Sequence, residues 1–254
     1  MTARFSLAVS GARGLARLPM ARLTRTPRAW LPIAAWFALA SGAAILARTS
    51  GGAPGASHVL LGAYGAFALP LLVYAVVGAT LGGGGLARAC APLVSFGASP
   101  ARAALAAIAV AATASAVLGA LLAVLVTAVA HGESDPPLAL DLIQCAWIGA
   151  LAAVAYAAVF AFGASLGGRG FGRSAVLVVD FLFGHGSGAM SLFTPRAHLR
   201  NLLGGSAPLD LSQRASIAFL VLLALLYAMS AASFSRRSFV RSSGLPSRTK
   251  LPSG

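Results

Sequence analysis

Charge is what this sequence has least of. Asp, Glu, Lys and Arg make up 9% of its 254 residues, against about 25% in a typical soluble domain. Too few charges are present to clothe a water-facing surface. There are only five acids, and the single lysine is Lys250. That scarcity excludes a Walker-type phosphate loop, which needs Lys and Ser/Thr directly after its glycines; Gly82–Gly85 has neither and reads as a flexible break. An intramembrane aspartyl protease needs two acids sharing a proton, and only Asp180 falls inside an apolar block. Gly186-Ser187-Gly188 is not the G-x-S-x-G elbow of a serine hydrolase. Cys90 and Cys145 fall in an inner loop and near the outer end of a span, so neither a disulfide nor metal-ligand spacing is expected. His58, His131 and His198 are scattered along the outer loops without a carboxylate cluster. No enzyme activity, cofactor or metal site is therefore expected.

What the chain has in abundance is apolar length. Hydrophobic residues make up 58% of it and mean hydropathy is +0.85. These residues form six blocks: Trp30–Ala47, Val59–Leu81, Ala103–Ala130, Leu142–Leu166, Ser174–Phe193 and Ala215–Phe234. A membrane-spanning helix needs about 20 residues to cross about 30 Å of hydrocarbon. Five blocks meet this, and Ala103–Ala130 runs 28 residues without a charge. The fifth is broken by Asp180 and by Gly184-His185-Gly186-Ser187-Gly188. It either crosses as a broken helix or runs from Gly168 to about Gly184 and continues as a re-entrant segment. Irregular backbone at that depth must be buried in protein or line water. The expected fold is all-α: a polytopic membrane protein of six transmembrane helices.

The basic residues orient it. Net charge is +14, but the arginines lie between apolar blocks and make no single face of the kind that binds nucleic acid. With the N-terminus inside, 15 of the 19 basic residues fall on the cytoplasmic side. They are Arg4, Arg13, Arg17, Arg22, Arg25 and Arg28; Arg88 and Arg102; Arg169 and Arg173; and Arg236, Arg237, Arg241, Arg248 and Lys250. Arg48, Arg196, Arg200 and Arg214 fall outside, with Glu133, Asp135, Asp141 and Asp210. The positive-inside rule then places both termini in the cytoplasm, and the expected location is the cell (inner) membrane. Three parts follow: a basic N-terminal segment 1–28, a transmembrane domain 29–235 and a basic tail 236–254. In the first, Phe5, Ala8, Val9, Ala12, Leu15 and Ala16 share one helical face. This suits an interfacial helix, a disordered tail or a transit peptide.

Two places draw attention as sites. Asp180 is an acid at membrane depth, where charges pair or serve a pathway. His185 follows five residues on, and Arg173 precedes by seven, on the same helical face. Asp180 and His185 could form a relay, or Asp180 could simply be held in a buried salt bridge. The second place is the apolar stretch Ala91–Ala98 between the second and third blocks, which needs cover from lipid or a partner. Ser99 and Pro100 after it suit a helix cap and first turn.

These features together resemble the membrane-spanning subunit of an ABC-2-type exporter. The likeness runs from the basic segment Arg22-Leu23-Thr24-Arg25-Thr26-Pro27-Arg28 through the inner turn Leu93–Arg102. It continues in the outer stretch Thr194–Gly205 and ends in Ser233-Phe234-Ser235-Arg236-Arg237. The resemblance implies a permease half that pairs with a second permease subunit, identical or related, in the lipid bilayer. It implies a separate soluble ABC ATPase bound beneath, with Ser95, Phe96, Gly97, Ser99, Pro100 and Arg102 forming the ATPase-coupling loop.

Overall fold

The computed structural model describes residues 2–25, 27–49, 55–132, 135–166 and 171–242; the side chains of 2–10, 12, 13, 29, 55 and 240–242 are outside that description. The face expected for Phe5, Ala8, Val9 and Ala12, and the positions of Glu133, Arg169, Arg248 and Lys250, therefore lie outside the described side chains or residues. All regular structure among the described residues is helical. Five helical stretches are long and apolar enough to cross a membrane.

Helix α1 (Thr2–Arg25) and α2 (Pro27–Thr49) follow each other closely. The second expected span is a single rod in three parts: α3 (Gly55–Val59), a π-helical stretch Leu60–Ala68, and α4 (Leu69–Leu81). In its wide turns the Leu69 N–H reaches back five residues to the Tyr64 carbonyl. Such stretches are usually single turns, and this one is nine residues long. Helix α5 (Gly85–Ser95) comes after a glycine break, then α6 (Pro100–Ala130) and α7 (Leu138–Ser165).

The core is built on α7, whose apolar side chains are buried along most of its length. It packs most extensively on α6, next on α10 and α8. Close approach to α6 depends on small residues. A Cβ on Gly119 would meet that of Ala153 at 3.0 Å and the Gly149 carbonyl at 3.2 Å, so the two backbones nearly touch. Without a hydrophobic force between helices in lipid, such small-residue contacts carry association. The Tyr64 hydroxyl donates to the Gly119 carbonyl at this crossing, 3.0 Å away. On the periphery, Leu31, Leu39 and Leu46 of α2 and Leu222, Leu225 and Met229 of α10 stand exposed. Apolar faces of this extent call for hydrocarbon or a partner.

The fifth block departs most from a simple rod. Helix α8 (Phe171–Phe183) is 13 residues long, about 20 Å at 1.5 Å per residue, and does not cross alone. The chain then runs through a 3₁₀ turn (Ala189–Phe193), α9 (Pro195–Leu202) and a second 3₁₀ turn (Pro208–Asp210) into α10 (Gln213–Ser242). Of the two sequence readings, this is the helix that stops near Gly184 and continues as a folded-back segment. Helix α9 lies antiparallel to the first half of α10. Phe193 accepts from Tyr227, His198 stacks on Phe219, and Asn201 donates to Ser216. Helix α10 also runs on past Phe234, so its last turns take up residues expected in the basic tail.

Candidate functional site

The six residues of the expected coupling loop gather in one short turn. The apolar stretch before it is not a loop, because α5 is amphipathic. Leu86, Ala89 and Cys90 are buried against the helix bundle while Arg88 and Pro92 face outward. Cys90, expected in a loop, is thus a buried helical residue. Arg22 of α1 donates to the Ala89 carbonyl at 3.1 Å and ties the N-terminal helix to α5. The C-terminus of α5 is closed by a paired-bond cap: the Gly97 N–H donates to Val94 O (2.9 Å) and the Ala98 N–H to Leu93 O (3.1 Å). This Schellman arrangement needs a left-handed residue, and Gly97 supplies it at φ +88°. Two residues later Ser99 Oγ accepts from the Arg102 N–H at 3.3 Å, with Pro100 in the first turn of α6. Both helix ends being capped, the turn is held in shape. At its tip Phe96 is 90% exposed, beside exposed Ser95, Ser99 and Arg102.

Asp180 sits nine residues into α8, about 13.5 Å along the helix, and is 2% exposed. Its partner is Arg196, which the charge count placed in the outer loops. Arg196 is fully buried and its Nε donates to Asp180 Oδ2 at 2.9 Å, while its backbone N–H reaches Oδ1 at 3.4 Å. Tyr156 of α7 donates to Oδ2 at 3.2 Å, and the guanidinium lies 3.9 Å over the Phe181 ring. Arg173, two turns back, is about 10.5 Å away along the axis. It is buried instead beside Gly78 and over the Tyr74 ring, not in a cytoplasmic loop. His185 is exposed and does not approach Asp180 in any described contact; its carbonyl accepts from Arg200. The relay of Asp180 and His185 is not assembled, whereas a buried salt bridge is.

No family model matches the chain, and no curated protein matches it. The reading of these sites therefore rests on their geometry.

The residues missed by the sequence reading are at the other end of α6. His131, taken as isolated from carboxylates, stands with its Nδ1 4.0 Å from Asp135 Oδ2 and 3.9 Å from Asp141 Oδ2. The bend through Pro136 and Pro137 brings the first turn of α7 back against the end of α6, which linear spacing conceals. The signal was available as His131-x₃-Asp135-x₅-Asp141, but it has meaning only once the turn is closed.

Proposed function

We propose that this chain is the permease subunit of an ATP-driven exporter, crossing the cell membrane six times with both ends inside. Four rods, α2, α3–α4, α6 and α7, each supply a crossing, as does α10; α8 with its folded-back continuation supplies the fifth in chain order. The observation that carries the reading is the capped turn at Phe96. Phe96, 90% exposed, is an aromatic of the kind enriched where one protein meets another. Here it is held on a rigid tip, near the exposed Arg102, and joined through α5 to α6, α7 and α10. A push on that tip would be transmitted to three spans, which suits coupling to a soluble ATPase beneath. The chain lacks a phosphate loop of its own, so nucleotide hydrolysis falls to that partner. A second permease subunit would complete the path.

An ion-coupled carrier working through Asp180 is less well supported. A coupling acid must exchange its ion with water, and Asp180 is enclosed and committed to Arg196 and Tyr156.

The test is affinity purification of the tagged protein in mild detergent, with mass spectrometry of what accompanies it. A stoichiometric ATPase carrying a Walker loop is expected, and Phe96→Asp is expected to release it while leaving the protein monodisperse. Absence of any ATPase from well-folded wild-type preparations would defeat the reading. The topology is tested separately by sided thiol labelling. Cysteines introduced at Phe96 and Pro136, both exposed, should react from opposite faces of sealed vesicles.

A further inference from the structure

We propose that His131, Asp135 and Asp141 form a binding site for a divalent first-row transition ion such as zinc, on the face opposite the Phe96 turn. Their ligand atoms lie within 4.8 Å of one another. Two ligand atoms each about 2.1 Å from a zinc ion are about 3.4 Å apart in a tetrahedral site. The observed 3.9 and 4.0 Å between the imidazole and the two carboxylates are thus wider by roughly half an ångström, a gap that small side-chain rotations close.

Three further observations point to a ligand. His131 Nδ1 is buried and has no hydrogen-bond partner, yet it faces both carboxylates. A ring nitrogen in that position is short of an acceptor or of a cation. Next, hydrogen bonds from neighbouring groups fix both carboxylates in place, Asp135 through the oxygen that faces His131 and Asp141 through the one turned away. Asp135 Oδ2 accepts from the backbone N–H groups of Gly132 (3.0 Å) and Ala56 (2.9 Å). Asp141 Oδ1 accepts from the Cys145 thiol at 3.4 Å, so that its Oδ2 is the oxygen turned to His131. Finally, the site opens to a cleft of about 220 Å³ lined in part by Asp135, Asp141 and Gln144, which supplies an entry path. Mixed imidazole and carboxylate donors favour zinc and its neighbours over calcium or magnesium. The ion would staple the C-terminus of α6, the start of α3 (through Asp135) and the first turn of α7.

The competing account is an imidazolium held between two carboxylates with no metal at all. Both are tested on metal-stripped, full-length protein without a histidine tag, in lipid nanodiscs. Zinc is titrated against a chromogenic chelator, and cobalt is added separately to read its d–d absorption. One zinc ion per chain is expected, with binding weakened at least tenfold in His131→Gln and in Asp141→Asn. The wild-type protein should also give the intense visible bands of low-coordinate cobalt. No zinc uptake by folded wild-type protein, or uptake unchanged in both variants, overturns the site. Should the variants fail to fold, the cobalt spectrum of the wild-type chain decides: weak bands of six-coordinate, water-bound cobalt refute the proposal.

Discussion

The Asp180–Arg196 pair yields the sharpest stability prediction. Its Nη1 and Nη2 atoms are buried without hydrogen-bond partners, so the guanidinium depends on Asp180 and the Phe181 face for nearly all of its compensation. Asp180→Asn removes the charge and keeps the shape. It leaves a buried cation without a counter-charge, which typically costs about 3–5 kcal/mol. Arg196→Met leaves a carboxylate that can take up a proton, so its penalty should be smaller. Replacing both, as Asp180→Leu with Arg196→Met, removes two charges from a dry site and should fall within about 1 kcal/mol of wild type, since buried pairs are often no better than apolar residues of similar volume. The assay is reversible unfolding of the purified protein in mixed micelles, read by tryptophan fluorescence. The reasoning is refuted if Asp180→Asn unfolds like wild type, or if the double replacement costs the sum of the two single ones. The same Asn variant bears on function: a structural pair predicts that any export activity retained per folded molecule is near normal, whereas a carrier acid predicts its loss.

Other consequences are simpler to check. Gly119→Val places atoms where Leu69 Cδ1 and Ala153 Cβ already stand, within 2.9 and 3.0 Å of the first added carbon. Overpacking of this kind costs about 1–3 kcal/mol, visible as a lower midpoint in the same unfolding assay. Tyr64→Phe deletes the bond to Gly119 and should cost about 1 kcal/mol; a neutral result would mean the hydroxyl is satisfied elsewhere. Cys90 and Cys145 are both free and buried, so maleimide should modify neither quickly in folded protein and both after denaturation. Rapid modification of one thiol would show that its helix is open. Gly97→Val forces a branched side chain into a left-handed backbone, at a cost of about 1–2 kcal/mol. Its expected signature is weaker ATPase association together with a modestly lower unfolding midpoint.

The helical blocks were legible because each is a property of many residues at once. A run such as Ala103–Ala130 has no polar residue able to end it, and Ser99-Pro100 marks its start, so α6 appears in the structure within three residues of the expected boundary. The cap of α6 was legible for the same kind of reason: Ser99 and Pro100 are local signals that need no distant partner, whereas the stretch before them reads as an apolar loop and is helix α5. Only tertiary structure decided which charges meet. Arg173 shares a helical face with Asp180, but two turns of axis separate them, while Arg196 is carried to it by the fold-back through Gly184. No periodicity in the chain encodes that return path. Likewise His131, Asp135 and Asp141 are harmless outer-loop residues in one dimension and become a cluster once Pro136 and Pro137 turn the chain. The π-helical stretch was also hidden, since Leu60–Ala68 is as apolar as its neighbours and differs only in how its backbone bonds are shifted. Hydropathy is summed over a window and survives being read along a line. A contact between side chains is set by a few dihedral angles at the breaks between helices, and those are decided when the whole bundle packs.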